Sequence, residues 1–460
     1  MRLIKYKDGW TRRLFLERVA QGASALGVIA PLWDVIGGTG TCEAAYPPEL
    51  LSIEAYTKGK LKAGDVLSAD NVDIVKDLLD PIAYHQIKND KRVVDLVATT
   101  TDINRINPPE FIAATERNRG VHKLDENNNV WTKDGKPWIG GNPFPEPSDG
   151  TQVVTAMSLS WGKHDAVLHP IKEWDTDAAG NTQYAYEYAF MEYQTVGRLV
   201  IDPKPYLPGH LDQLRMVPDV ITAPEDQRGT AFLQIWAYDQ RMFPEFYGYT
   251  PLLKRVRTFP VDQRFEPLLP GENYFSTLAW HVGDPVLTWG NFKIVGRGPI
   301  LNGIQCPIYK NRGWLFKTCG GQSGNKYFRT WMELVPETIV VDYEPVKYPR
   351  APISKKRTWF DARTMQPLVT NTYDRQGKLW QQWEGGFAWY DKSDGGVDWV
   401  SGAPDKFWWW AHVHAYDIQN ETMARLQLTP EITGGFSIRI NDPGIFNEFC
   451  SMSALRRMGR

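Results

Sequence analysis

The stretch "KRTWFDARTMQPLVTNTYDRQGKLWQQWE", residues 356–384, constrains the fold more than any other. Apolar and polar residues alternate through three short runs, and "ARTM" and "DRQG" separate them with turn-forming residues. A period of two broken by turns is the pattern of an antiparallel meander. The same texture recurs in "YAYEYAFMEYQTVGRLVI", "TAFLQIWAYD", "WGNFKIVG", "KYFRTWMELV", "TIVVDYEP", "FWWWAHVHAYDI", "ETMARLQL" and "GGFSIRI". "VVTAMSLSW" (153–161) and "NYFSTLAWHV" (273–282) read as further strands. So many strands must curl or close to limit their exposed edges. The expectation is a mainly β fold with some α: one large, curved, antiparallel sheet.

Upstream the texture differs. In "LSADNVDIVKDLLD", Ser68 is an N-cap candidate and Val72, Val75, Leu78 and Leu79 follow at helical spacing. "NPPEFIAAT" suggests a short helix starting at its prolines, and residues 127–150 are dense in Asn, Gly and Pro, as turns and extended loop require. The expected organisation is an α-containing, loop-rich segment over 46–150 that packs on a β region over 151–460, the two forming one domain.

Residues 1–45 read as an address. Arg2, Lys5 and Lys7 precede Arg12 and Arg13, which run into Leu14-Phe15-Leu16. The following apolar stretch contains Pro31 and Asp34 and falls short of a spanning helix. Ala44 and Ala45 suit a signal-peptidase cut. The pair Arg12-Arg13 resembles a twin-arginine export signal, although Glu17 stands where many such signals have Lys. Export would place the protein in the periplasm. Cys42 follows Gly-Thr, a poor lipid-attachment context.

Charge excludes one class of partner. With 52 basic and 54 acidic residues the net charge is −2, and no basic surplus points to nucleic acid. Cysteine use leaves a choice open. Cys306 and Cys319 flank "PIYKNRGWLFKT", whose Asn311-Arg312-Gly313 reads as a hairpin turn, so they form either a disulfide or two reduced, buried thiols.

No constellation of catalytic residues stands out. In "WWWAHVHAY", strand alternation puts Trp410, His412, His414 and Tyr416 on one face. His412 and His414 are metal-ligand candidates that lack a third ligand at any recognisable spacing. Asp361 and Asp374 sit beside turns, "GGQSGN" is one residue short of a nucleophile elbow, and no phosphate or dinucleotide loop is present. No cofactor is therefore expected. In "LLKRVRTFP", Arg255 and Arg257 share one strand face and suit an anionic group or a partner protein. Aromatic residues make up 13% of the chain, enough both to fill a core and to line a ligand site. Trp161, Trp236, Tyr238, Trp280, Trp331 and Trp359, all mid-strand by pattern, are the expected pocket walls.

Five ordered motifs carry a family resemblance: "GNPFPEPSDGTQVV", "YTPLLKRVRTFP", "GNFKIVGRG", "WMELVPETIVVDYEP" and the stretch from Lys355 to Glu384. Together they resemble a family of exported Gram-negative proteins classed as a domain of unknown function and often labelled outer-membrane lipoprotein-sorting protein. The resemblance implies an enlarged LolA/LolB-like half-barrel with helices over its concave face, and a hydrophobic ligand such as a lipid, a lipoprotein acyl chain or a sterol-like compound. It also implies service to an outer-membrane channel or a resistance-nodulation-type exporter. A periplasmic carrier without enzymatic activity is the leading expectation. An enzyme acting on a hydrophobic substrate, metal-assisted through His412 and His414, and a non-carrier subunit of a transport complex are the alternatives.

Overall fold

The computed structural model describes residues 46–160, 163–252, 254–260, 264–279, 283–306, 326, 328–391 and 406–459. The expectations placed on Arg12, Arg13, Trp161, Trp280 and Cys319 lie outside the described residues.

The described helices are α1 (Ile53–Tyr56), α2 (Pro81–Asn89), α3 (Pro109–Arg117), α4 (Gly150–Ser160), α5 (Gly444–Phe449) and α6 (Met452–Met458). The strands begin with β1 (Val66–Leu67), β2 (Arg92–Leu96), β3 (His122–Leu124), β4 (Val130–Thr132), β5 (Ala166–Thr176), β6 (Thr182–Gln194) and β7 (Gln213–Ala223). They continue with β8 (Ala231–Ala237), β9 (Glu245–Thr250), β10 (Arg255–Thr258), β11 (Gly290–Asn302), β12 (Phe328–Glu344), β13 (Ile353–Asp361) and β14 (Pro367–Asp374). The last are β15 (Leu379–Asp391), β16 (Lys406–Asp417), β17 (Thr422–Leu428), β18 (Glu431–Ile432), β19 (Phe436–Ser437) and β20 (Arg439–Ile440).

The meander over 356–384 forms as its pattern predicts: β13, β14 and β15 pair in sequence, and the two turns fall between them. One large sheet runs β1-β2-β12-β13-β14-β15-β16-β17-β5-β6-β7-β8-β9-β10, with β11 on β12 and β20 on β5. It is open and almost wholly antiparallel; the exception is β2 on β12, a parallel pair. "KYFRTWMELV" and "TIVVDYEP", expected as two strands, join into the 17-residue β12.

Two expected strands are something else. Residues 150–160 form the helix α4, where Asp149 accepts the Gln152 N–H at 3.0 Å and Ser148 donates its N–H to Gln152 Oε1 at 2.9 Å. The Asp149 cap at three-residue spacing, with the Gln152 side chain holding the preceding Ser148 N–H, outweighs the β-branched run Val153-Val154. The described part of "NYFSTLAWHV" forms a one-turn 3-10 helix, Ser276–Leu278. In the N-terminal part the helix expected after Ser68 is also 3-10, Val72–Leu78, whereas α3 starts at its prolines as expected. α2 was not foreseen; Asp80 caps it by accepting the N–H groups of Ile82 and Ala83.

Strand register defines the two faces. Val341, Thr358, Thr370, Trp383, Ala415, Ala424, Asp175 and Tyr184 align across the sheet from β12 to β6. The next row, Val340, Trp359, Val369, Glu384, His414, Arg425 and Trp174, lies on the opposite face. α4 reports the curvature. Its Val153, Val154 and Met157 pack with Ile339, Val341 and Tyr343 of β12. Leu159 packs with Trp236 of β8, and Ser158 C=O accepts from Arg215 of β7. In the sheet order β7 stands eight places from β12. At about 4.8 Å per strand a flat sheet would separate them by roughly 38 Å, whereas an eleven-residue helix is only about 16 Å long. The sheet therefore curls around α4, which lies across the inner, concave face.

Candidate functional site

The inner face is lined with aromatic side chains. Its rows continue from Trp383 through Tyr186, Tyr188 and Phe190 to Phe232 and Phe246. Besides α4, residues 264–279 cover it: Leu268 and Leu269 pack on Tyr186, Ile221, Phe232 and Phe246, and Tyr274 lies 5.3 Å from Trp383. Polar contacts also tie this cover to the sheet, among them Asn273 Nδ2 donating to Thr176 C=O at 3.1 Å and to Met423 C=O at 3.3 Å, and Lys356 Nζ donating to Thr277 C=O. Tyr186 Oη donates to Pro270 C=O at 2.5 Å, and Asn273 N–H donates to Asp175 Oδ1 at 2.9 Å. Gly271, at φ +79°, lies under the Tyr184 ring, where a Cβ would come within 2.0 Å of a ring carbon.

Beneath the cover the wall is not purely apolar. Glu173 and Asp175 from β5, Asp219 from β7 and Glu272 from the cover form a carboxyl cluster among Tyr186, Tyr188 and Tyr274. Glu173 and Asp175 are 0% exposed, and none of the four has an ion-pair partner among the described residues. Burial first, and the neighbouring carboxyls second, hold Glu173 well above its ordinary range. Burial also raises Asp175 to about 7 and Glu272 to about 8. At neutral pH Glu173 and Glu272 therefore keep their protons and act as hydroxyl-like donors, while Asp175 is about half-protonated. On the same face His169 is 0% exposed, stacks on Trp409 at 5.4 Å and has no hydrogen-bond partner on either ring nitrogen. An apolar wall with a few convergent polar groups is the usual make-up of a small-molecule site.

The aromatic residues expected to line a pocket are divided by the structure. Trp236 is on the inner face against Arg215, whose guanidinium carbon lies 5.5 Å from the ring centroid. Tyr238 is nearby, its hydroxyl accepting from Trp138 N–H at 2.7 Å and donating to Val130 C=O. These two belong to a core with α4 and the β3–β4 hairpin. Trp359 falls in the opposite row with Val369 and Glu384, and Trp331 sits in the half of β12 that pairs with β2. Sequence reading missed Trp383 and the carboxyl cluster. The available signal was "IKEWD", in which Ile171, Glu173 and Asp175 alternate onto one face.

His412 and His414 point into the outer face, not the inner one. There Arg92 of β2 pairs with Glu384, donates to Gln86 Oε1 at 2.7 Å and lies 5.3 Å over Phe328. His414 Nε2 is 3.6 Å from Glu384 Oε2, and His412 Nε2 is 3.7 Å from the Cys306 sulfur. Burial, followed by the Arg425 and Arg92 charges, lowers His412 to about 3. Two guanidinium groups beside the imidazoles oppose a bound cation, and among the described residues no cluster of three His, Cys, Asp or Glu is disposed to hold a metal. Trp410 does not share their face as expected. A bulge opposes Phe387 to Trp410 and Gly386 to His412, so Ala411 is the extra residue and the alternation shifts. Cys306 is a buried thiol. Arg255 and Arg257 lie exposed on β10.

No helix among the described residues is long and apolar enough to cross a membrane. In sequence, the profile of the family described as "Protein of unknown function (DUF1329)" matches residues 66–456. No curated protein matches. Solved structures similar to this chain include the following three. A putative outer membrane lipoprotein-sorting protein domain from Vibrio parahaemolyticus is 15% identical, covering 64% of this chain and 92% of its own, with a TM-score of 0.37. A DUF1329 family protein from Desulfovibrio piger is 10% identical, covering 67% of this chain and 100% of its own, with a TM-score of 0.41. A LolA superfamily protein from Nitrosomonas europaea is 10% identical, covering 65% of this chain and 97% of its own, with a TM-score of 0.33.

Proposed function

The chain belongs to the DUF1329 family, and from that premise we propose that it is a non-enzymatic binding protein that carries a hydrophobic ligand. A lipid, a lipoprotein acyl chain and a sterol-like compound are the ligands we have in mind. One observation carries the reading: among the described residues the aromatic inner face is closed by one helix, the small β3–β4 hairpin and the 264–279 segment, not by a second large sheet. A cover of that kind can give way to a ligand while the sheet stays intact. The protonated carboxyls beneath it suit the polar end of an amphiphile. Burial of each methylene is worth about 0.8 kcal/mol, so a long acyl chain gains roughly 10 kcal/mol before the cost of moving the cover.

The same proposal includes export to the periplasm through Arg12 and Arg13, and delivery to an outer-membrane channel or a resistance-nodulation-type exporter. It also treats 46–460 as one folded unit; the sheet pairing β2 with β12 supports this across the 150/151 boundary. The test is native mass spectrometry of gently purified protein together with uptake of a fluorescent fatty acid. Co-purified lipid or saturable uptake, weakened in Trp383→Ala, is the expected result. Repeated recovery of empty protein with no uptake rejects the carrier reading.

A further inference from the structure

Leu252, at the tip between β9 and β10, is 91% exposed, against 56% for the next most exposed large hydrophobic residue, Met242. A leucine held so far into water by a hairpin has no folding role. Its neighbours are cations. Val256 packs with Tyr249 and Leu455 on the outer face, which turns Arg255 and Arg257 together to the other side of the strand, the side of Gly248 and Phe232 at the rim of the inner face. Lys254, Arg255 and Arg257 are all exposed, and among the described residues their side chains make no hydrogen bond or ion pair. α6 packs on the opposite, Val256 side of the hairpin through Leu455, and Arg457 there donates to Glu448 C=O at 3.0 Å. Some cations elsewhere on the surface are paired, for example Arg329 with Asp95 and Arg439 with Glu448, and others such as Lys58 and Lys60 are not; what sets the hairpin apart is that its cations closely follow the most exposed leucine among the described residues.

We propose that this hairpin docks the protein on an anionic membrane surface, with Leu252 entering the interface and Lys254, Arg255 and Arg257 meeting lipid headgroups. A net charge of −2 gives the whole molecule no attraction to such a surface, so the recognition has to be local. An exposed apolar tip followed by exposed cations without partners is complementary to that interface. The proposal is independent of what the inner face binds.

Co-sedimentation with vesicles tests it, using phosphatidylglycerol and phosphatidylcholine at about one to three, against phosphatidylcholine alone. Binding only to the anionic vesicles, falling as salt rises, is expected. R255E/R257E should weaken it by about 10-fold or more, L252D should do likewise, and R255K/R257K should retain it. K58E/K60E removes two exposed cations elsewhere and should leave it unchanged. All these sites are exposed, so the variants should keep the wild-type circular dichroism and Tm. Absence of binding to anionic vesicles, equal binding to neutral ones, or equal losses in K58E/K60E would overturn the proposal. So would unaltered binding in R255E/R257E, which would assign the cations to a protein partner on the β10 edge.

Discussion

Tyr274 Oη lies 3.3 Å from Glu173 Oε2, so that a hydroxyl from the cover meets a buried carboxyl of the sheet wall. The tyrosine O–H donates to the carboxyl oxygen, and the contact joins the two halves of the candidate site. Ionising several carboxyls in one buried cluster would set like charges against each other without a counter-charge.

Stability should therefore fall as pH rises. Asp175 titrates at about 7 and Glu272 at about 8 in the folded protein, whereas unfolded carboxyls titrate near 4. Between those limits the folded chain binds more protons, and each carboxyl costs about 1.4 kcal/mol per pH unit across its window. Thermal unfolding between pH 5 and pH 8.5 should show a decline that is shallower in the Glu173→Gln/Asp175→Asn variant. Parallel wild-type and variant curves would contradict this. Hydrogen exchange should locate the loosening in 264–279.

Breaking the outer-face ion pair should cost far more than replacing it. Arg92 and Glu384 are both buried, and Arg92→Ala strands the carboxylate, a loss of about 3–5 kcal/mol. The double change Arg92→Met/Glu384→Leu should recover much of that in urea unfolding. A single variant within 1 kcal/mol of wild type, on the order of a surface pair, would contradict the network.

The Asp149 cap makes α4 a helix. Asp149→Ala should destabilise the protein by about 1 kcal/mol, with Asp149→Ser close to neutral. Equal losses from both would indicate that the side chain acts in some other way.

Zinc should not bind at His412 and His414, because Arg92 and Arg425 already crowd the imidazoles with positive charge. Calorimetric titration with zinc should give the same result for wild type and His412→Ala. A stoichiometric site lost in that variant would revive the metal reading.

The meander of 356–384 was legible because turn chemistry and alternation agree there residue by residue. Helix α4 was not, since a short apolar run with two valines fits either period and the deciding cap, Asp149 with Gln152, lies outside the run. Face parity was readable along β16 only as far as Ala411, where a bulge resets it. The carboxyl cluster was hidden for another reason. Glu173, Asp219 and Glu272 come from elements far apart in sequence, and only the pairing of β5, β6 and β7 and the path of the cover bring them together. Family membership was carried by ordered motifs, none of which includes that cluster.

The central claim is that the inner face takes up an acyl chain. Displacement of cis-parinaric acid by saturated fatty acids of increasing length measures it directly. Each added methylene should tighten binding by roughly 4-fold, from about 0.8 kcal/mol of apolar burial, until the face is filled. Loss of Trp383 should weaken every member of the series. Failure to take up the probe, or affinities that do not change with chain length, would contradict the account.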